Sequence, residues 1–183
     1  MSLKLNDGER LIIYMLGEIY KKLNVDGGID PDFLMKAVAD GRDWAIANKY
    51  HGLFPSAPDD PDDVRETHDI LTMFRILASS YADLNAADKT RVDTAVPPFT
   101  GKDLQFEGFD ANRETHYGIA DFMVSELGLY HELKGRPMNS HASLLEPYRR
   151  MFGAYRPFRQ SLSGLTADQL ITVLKAKVHP TQR

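Results

Sequence analysis

The predicted fold rests on one segment, Phe106-Glu-Gly-Phe-Asp110-Ala-Asn-Arg-Glu114-Thr-His-Tyr117, which continues through Phe122-Met123 to Leu129-Tyr130. It opens with turn residues and continues with two adjacent apolar stripes at helical spacing. The first stripe contains Ile119, Phe122, Met123, Leu127 and Tyr130, and the second contains Tyr117, Ala120 and Val124. A helix that is apolar around most of its circumference is typical of the middle of a bundle. The sequence therefore predicts a buried helix from Asp110 to Tyr130, capped by Asp110.

Helical periodicity also predicts the rest of the chain to be helical, with start signals at Asn6, Asp30, Pro61, Asn85, Pro147 and Thr166. Each start carries a capping side chain or a proline in the first turn, where its missing N–H costs nothing. Gly41 predicts a break or bend in the second helix, and no segment alternates as a strand does. We expect a single all-α domain over residues 1–183, with about six helices and a possible subdivision at the linker 95–105. The buried helix is expected to pack on the long helix from Pro61 to Asp83.

Composition narrows the functional classes. The 183 residues include no cysteine, which excludes disulfides, zinc–thiolate sites, iron–sulfur clusters and thiol nucleophiles. No apolar run approaches the roughly 18 residues that a membrane span needs, and the start of the chain shows no secretory signal. These features predict a cytoplasmic protein.

Charge is distributed unevenly along the chain. Residues 1–100 carry 11 Lys and Arg against 17 Asp and Glu, a net charge of −6, whereas residues 101–183 carry 11 against 9, a net charge of +2. The basic part runs from Arg136 to Arg159, and Glu146 is its one acidic residue. Its basic residues are Arg136, Arg149, Arg150, Arg156 and Arg159. The pattern predicts that acidic and basic surfaces face each other, within one chain or across a homo-oligomer.

Motifs for catalysis and cofactor binding are missing from the sequence. It contains no phosphate-binding glycine loop, no G-x-S-x-G element and no pair of histidines four residues apart on a predicted helix. We therefore predict no catalytic residues, no cofactor and no metal site. The missing motifs favour a non-enzymatic protein but leave the question of an enzyme open.

Two groups of residues are candidates for ligand or partner contact. Glu114 and Tyr117 lie in the buried-helix segment, and Glu114 is expected either to help line a polar pocket or to pair with Arg149 or Arg150 and fix a helix contact. Arg149, Arg150, Arg156 and Arg159 alternate with aromatic residues between residues 148 and 159. This alternation would suit single-stranded nucleic acid. Helical spacing favours a different interpretation, in which the aromatics form core and the arginines are solvated or bridge to the acidic half.

Three blocks of the sequence resemble the YfbU family, a group of small helical bacterial proteins. They are Gly8-Glu-Arg10-Leu-Ile-Ile13, the segment from Asp69 to Leu84, and Gly108-Phe-Asp110 with Glu114, Tyr117, Phe122-Met123 and Tyr130, followed by Tyr148-Arg-Arg-Met151. The resemblance implies an α-helical cytoplasmic protein. It implies no catalytic residues.

Three functions remain open from the sequence. The first is an interaction or regulatory module that forms a homo-oligomer, with a protein partner possible. The second is an enzyme or small-ligand binder with a polar pocket formed by Glu114, Tyr117 and Arg149 or Arg150. The third is nucleic-acid binding through the arginines between residues 148 and 159.

Overall fold

The computed structural model describes residues 3–54, 60–160 and 164–179. Its helices are α1 Asp7–Lys22, α2 Pro31–Ala39, α3 Asp43–Lys49, α4 Asp62–Asp83, α5 Ala86–Ala95, α6 His116–Ser125, α7 Leu145–Tyr155 and α8 Ala167–Lys177. The described residues form no strand beyond two isolated bridges, Val96 with Phe99 and Phe109 with Asn139. The all-α prediction is confirmed. The described residues form eight α-helices rather than about six, in part because Gly41, at φ 65°, separates α2 from α3.

Local capping signals place most helix starts where the sequence predicted them. Asn6 accepts from the Glu9 N–H at 3.0 Å while the Glu9 carboxylate accepts from the Asn6 N–H at 2.8 Å, which is the predicted capping box of α1. Thr166 starts α8 in the same way, and Asp30 caps α2. The predicted loop residues 55–58, the acidic residue at 59 and the tail beyond His179 lie outside the described residues.

The chain divides into two compact units, Met1–Asp62 and Asp63–Arg183. A single domain over 1–183 stays a prediction. The predicted linker near residues 95–105 is an ordered part of the second unit, because the Asp93 carboxylate accepts from the Gly101 N–H at 2.7 Å and from the Tyr81 hydroxyl at 2.9 Å. Gly101 itself is buried.

In the first unit, α1 packs against α2 through a close approach. Gly17 is buried, and a Cβ at this position would lie 2.7 Å from the Met35 sulfur. The segment before α1 is tied to α3 by the buried carboxylate of Asp43, which accepts from the Leu5 N–H at 3.0 Å and from Arg10 at 2.6 Å. Helix α1 is therefore fixed on one side by its contacts with α2 and α3.

In the second unit, aromatic side chains form the centre of the core. The ring of Tyr148 on α7 lies 4.7 Å from that of Phe74 on α4, and Phe106 lies 5.1 Å from Phe109 in the segment before α6. The Tyr148 hydroxyl donates to the Gly108 carbonyl at 3.1 Å, and burial raises the pKa of Tyr148. The aromatic residues of the 106–110 segment are thus core residues.

The buried helix is shorter than the predicted Asp110–Tyr130. Helix α6 covers His116–Ser125, and Asp110 caps a turn by accepting from the Asn112 N–H at 2.9 Å instead of capping α6. Gly128 at φ 66° and Tyr130 at φ 52° adopt left-handed conformations that a helix cannot continue through. The Tyr130 hydroxyl instead lies 2.9 Å from the Thr72 hydroxyl of α4.

One buried cation anchors the end of α8. The Lys177 ammonium lies 2.9 Å from Asp103 and 2.5 Å from Glu107, and the Lys177 side chain is only 6% exposed. Burial alone would raise the pKa of Asp103, but hydrogen bonds from Lys177 and from the Thr100 N–H outweigh it and lower that pKa. This pairing satisfies a charge that would otherwise be costly to bury.

Candidate functional site

The carboxylate of Glu114 joins two segments of the second unit by hydrogen bonds. One carboxylate oxygen accepts from the Asp110 N–H at 2.7 Å, and the other accepts from the Leu145 N–H at 2.8 Å. Leu145 is the first residue of α7, where backbone N–H groups have no partner within the helix and a carboxylate is favoured by the helix dipole. The expected pairing of Glu114 with Arg149 or Arg150 is not what the structure has, because Arg149 pairs with Glu66 and Glu146 and Arg150 donates to backbone carbonyls at the end of α8.

Arg149 instead joins α7 to α4. Its guanidinium donates to both oxygens of Glu66, from Nε at 2.7 Å and from Nη2 at 2.8 Å, and also contacts Glu146 at 2.5 Å. The hydrogen bond from Arg149 is the main reason that the pKa of Glu66 is lowered, and the two carboxylates raise the pKa of Arg149. The arrangement is a bidentate ion pair that fixes orientation as well as charge.

His116, the first residue of α6, completes this cluster. Its Nε2 lies 2.8 Å from Glu66, its side chain is only 6% exposed, and its ring lies 5.5 Å from that of Phe109. Its Nδ1 is buried and has no hydrogen-bond partner among the residues that the structure describes. The sequence gives no sign of this pairing, because Glu66 lies fifty positions from His116 and no motif links the two residues.

The remaining candidate residues are dispersed. Arg150 donates to the Ala176 carbonyl at 3.1 Å and to the Lys177 carbonyl at 2.8 Å, at the end of α8, where cations are favoured. Arg159 donates to Asp69 at 2.8 Å, Arg156 is exposed, and Tyr117 is half-buried. Glu114, Arg149 and Arg150 each contact a different partner. The polar pocket predicted from these residues stays a prediction. Their separate contacts do not favour it.

The interleaved aromatics of the 148–159 segment are similarly occupied. Tyr148 and Tyr155 are buried, so their faces are not available to stack on bases. Three of the four arginines already contact carboxylates or carbonyls of the protein. These contacts agree with the structural interpretation of the segment and give the nucleic-acid hypothesis no support.

Helix α1 presents the most conspicuous exposed surface. Six large apolar side chains are between 50% and 69% exposed: Leu11, Ile12, Met15, Leu16 and Ile19 on α1, and Leu23, which follows its last residue. Their spacing places them along one side of the helix, away from the buried Gly17 that contacts α2. We call this set the α1 face. Monomeric proteins rarely expose contiguous apolar patches of more than a few hundred Å².

An apolar groove adjoins the α1 face within the first unit. It has a volume of about 360 Å³ and lies between α1, α2 and the connection that joins them, with Ile13, Leu16, Ile19, Tyr20, Val25 and Leu34 in its lining. Leu16, Ile19 and Leu23 belong to both the groove and the α1 face. The two features therefore form one continuous apolar surface.

Two properties of the described residues bear on other classes of function. No three His, Asp or Glu side chains within residues 3–54, 60–160 and 164–179 come together as a metal site would require. None of the helices in the same ranges is both long enough and apolar enough to cross a bilayer.

The family model of the YfbU domain matches residues 3–176, almost the whole chain. The chain therefore belongs to the YfbU family. The match confirms the resemblance seen in the three sequence blocks, and it names no reaction, ligand or partner.

Proposed function

We propose that this protein is a non-enzymatic interaction module that forms a homo-oligomer through the α1 face. The observation that carries the proposal is the exposure of six large apolar side chains along one side of α1 and its C-cap residue. Burial of apolar surface is worth about 25 cal/mol per Å², so a surface of this kind strongly favours association. The firmly capped α1 presents it on a rigid element.

The occupant that best fits the α1 face is the same helix of a second copy. The first turn of α1 carries Asp7 and Glu9, and its last turn carries Lys21 and Lys22. In an antiparallel pair of α1 helices, the acidic start of each lies beside the basic end of the other, and the helix dipoles also oppose. An antiparallel pair is isologous, which is the symmetry of a C2 dimer, the commonest homo-oligomer.

Leu16→Glu tests the proposal, with Leu53→Glu as its matched control. Leu16 is 57% exposed on the α1 face, whereas Leu53 is 65% exposed elsewhere in the first unit. We expect sedimentation velocity to show dimers for the parent protein and for Leu53→Glu, and monomers for Leu16→Glu with an unchanged far-UV circular dichroism spectrum. A monomeric parent protein, or dimers of Leu16→Glu as stable as those of the control, would refute the role of the α1 face.

Disulfide trapping tests the relative direction of the two α1 helices. Because the sequence contains no native cysteine, only the introduced cysteines can form a disulfide. Met15 lies at the middle of residues 11–19, so Met15→Cys is expected to form a disulfide with its own copy in an antiparallel pair. Leu11→Cys copies would lie about 12 Å apart, too far for a disulfide, but Leu11→Cys should link to Ile19→Cys in a mixture. Efficient self-linking of Leu11→Cys would instead indicate parallel helices.

A further inference from the structure

A cavity of about 190 Å³ lies in the second unit, apart from all the candidate residues discussed above. Its floor is apolar and consists of Leu71 and Phe74 on α4 together with Phe106 and Leu133, all of them buried. Drug-sized ligands occupy sites of about 300–1,000 Å³, so this cavity suits a smaller molecule.

The rim of the cavity is polar and carries two guanidinium groups. Arg75, Gln105, Glu132 and Arg136 line it, and all four residues are exposed. Two cations against one carboxylate give the rim a net positive charge. The floor and the rim together match a molecule with an apolar body and an anionic head.

The two arginines are held in place with most of their donors unused. The Arg75 guanidinium lies 5.2 Å from the centre of the Tyr130 ring, a cation–π contact that uses no N–H donor. Arg136 donates one hydrogen bond, from Nη2 to the Gln105 side chain at 2.9 Å. Within the described part of the chain neither guanidinium pairs with a carboxylate, in contrast to Arg149 and Arg159. A planar guanidinium with free donors matches a carboxylate, which it can bind through two parallel hydrogen bonds.

We infer that this cavity binds a small carboxylate with a compact, branched apolar body. The carboxylate contacts Arg75 and Arg136, and the apolar body fills the space above Leu71, Phe74, Phe106 and Leu133. Glu132 on the rim is a carboxylate that an ammonium group would contact, so a simple acid and a free amino acid both carry the carboxylate and apolar body that the cavity binds. The inference does not depend on self-association through α1.

Titration of the methyl-labelled full chain with isovalerate tests this inference. Because the ligand has few atoms, we expect a Kd of about 1 mM, with saturable shifts of the Leu71 and Leu133 methyl signals. Arg75→Gln and Arg136→Gln should each raise the Kd about tenfold or more, the loss expected for a hydrogen bond to a charged group. Arg156→Gln removes the same charge at an exposed position outside the cavity and should leave the Kd unchanged.

Three further probes separate the possible sources of the signal. Isoamylamine, which has the same body without the carboxylate, and inorganic phosphate, which has charge without the body, should produce no saturable shift at these methyls. L-leucine binding more tightly than isovalerate would support the inference and assign the ammonium contact to Glu132, while weaker binding would support it with a simple acid as ligand.

Filling the cavity provides a test that keeps both arginines. Ala78 lines the cavity on α4, and Ala78→Leu suits a helix while occupying the space above the floor. We expect it to abolish isovalerate binding, with the parent circular dichroism spectrum retained. Absence of saturable shifts in the parent protein, or binding that neither the arginine variants nor Ala78→Leu weaken, would overturn the inference.

Discussion

Replacing Gly108 by alanine should destabilise the second unit strongly. Gly108 has φ 103°, a conformation that costs a residue with a Cβ about 1–2 kcal/mol or more. A Cβ there would also lie 2.5 Å from the Met138 carbonyl oxygen and 2.9 Å from the Ser140 nitrogen. Both are backbone atoms, so no side-chain rotation relieves the contact.

The backbone that would have to move is itself hydrogen-bonded. The Phe109 N–H donates to the Met138 carbonyl at 2.9 Å, and the Ser140 N–H donates to the Phe109 carbonyl at 3.0 Å. Separating the segments to admit a methyl group weakens both bonds, each worth about 0.5–1.5 kcal/mol. Adding the conformational term gives a loss of about 2–5 kcal/mol, a large part of the 5–15 kcal/mol that stabilises an ordinary domain.

Two other glycines separate the conformational term from the clash. Gly128 has φ 66° with no atom within 4 Å of its Cβ position, so Gly128→Ala should cost only about 1–2 kcal/mol. Gly153 lies within α7 with open space at its Cβ position, and Gly153→Ala should stabilise the protein by about 0.5–1 kcal/mol.

Urea unfolding followed by far-UV circular dichroism measures these differences. Trp44, the single tryptophan of the sequence, lies in the first unit, so its fluorescence shows whether that unit responds separately. We expect the order of stability to be Gly153→Ala, parent, Gly128→Ala and then Gly108→Ala. If Gly108→Ala cost no more than Gly128→Ala, the close passage of residue 108 against the segment 138–140 would not be a rigid feature of the fold.

Three further substitutions test other contacts by the same urea method. Glu66→Gln should lower the free energy of unfolding by about 1–2 kcal/mol at pH 7. Because Arg149 lowers the folded-state pKa of Glu66 below its ordinary 4.5, this difference should be complete above pH 4.5 and should vanish as the pH falls through the lower folded-state pKa. A difference that stays constant with pH would contradict this reasoning. Tyr148→Phe should cost about 1–2 kcal/mol, since it leaves the buried Gly108 carbonyl without its donor; a neutral result would mean that water replaces the hydroxyl. Asn6→Ala should cost about 1 kcal/mol, seen in Trp44 fluorescence, and Asn6→Asp should retain most of the stability.

Local signals in the sequence were sufficient to predict most helix starts, although not that of α6, which begins at His116 rather than after Asp110. The capping boxes at Asn6 and Thr166 and the proline after Asp30 act within four residues, so their meaning does not depend on the rest of the fold. The end of α7 before Pro157 is of the same kind. The all-α fold class follows from such signals.

The site could not be predicted in the same way, because its contacts join distant parts of the chain. Glu114 accepts from the Leu145 N–H 31 residues away, and His116 reaches Glu66 across 50 residues. The apolar spacing of α1 was read correctly as a helix face, but periodicity does not reveal what covers such a face. Likewise, Arg75 and Arg136 come together at one cavity through the fold, and their spacing in the sequence carries no motif.

The buried Lys177 determines where the chain can be shortened. The family match ends at residue 176, which would suggest a natural place to end a cloned domain. A protein that ends at residue 176 would lose the ammonium group that pairs with Asp103 and Glu107. It would also lose one of the two carbonyls to which Arg150 donates a hydrogen bond. A recombinant fragment should therefore extend at least through Lys177, and a stop codon one position earlier would leave two carboxylates facing each other without a cation.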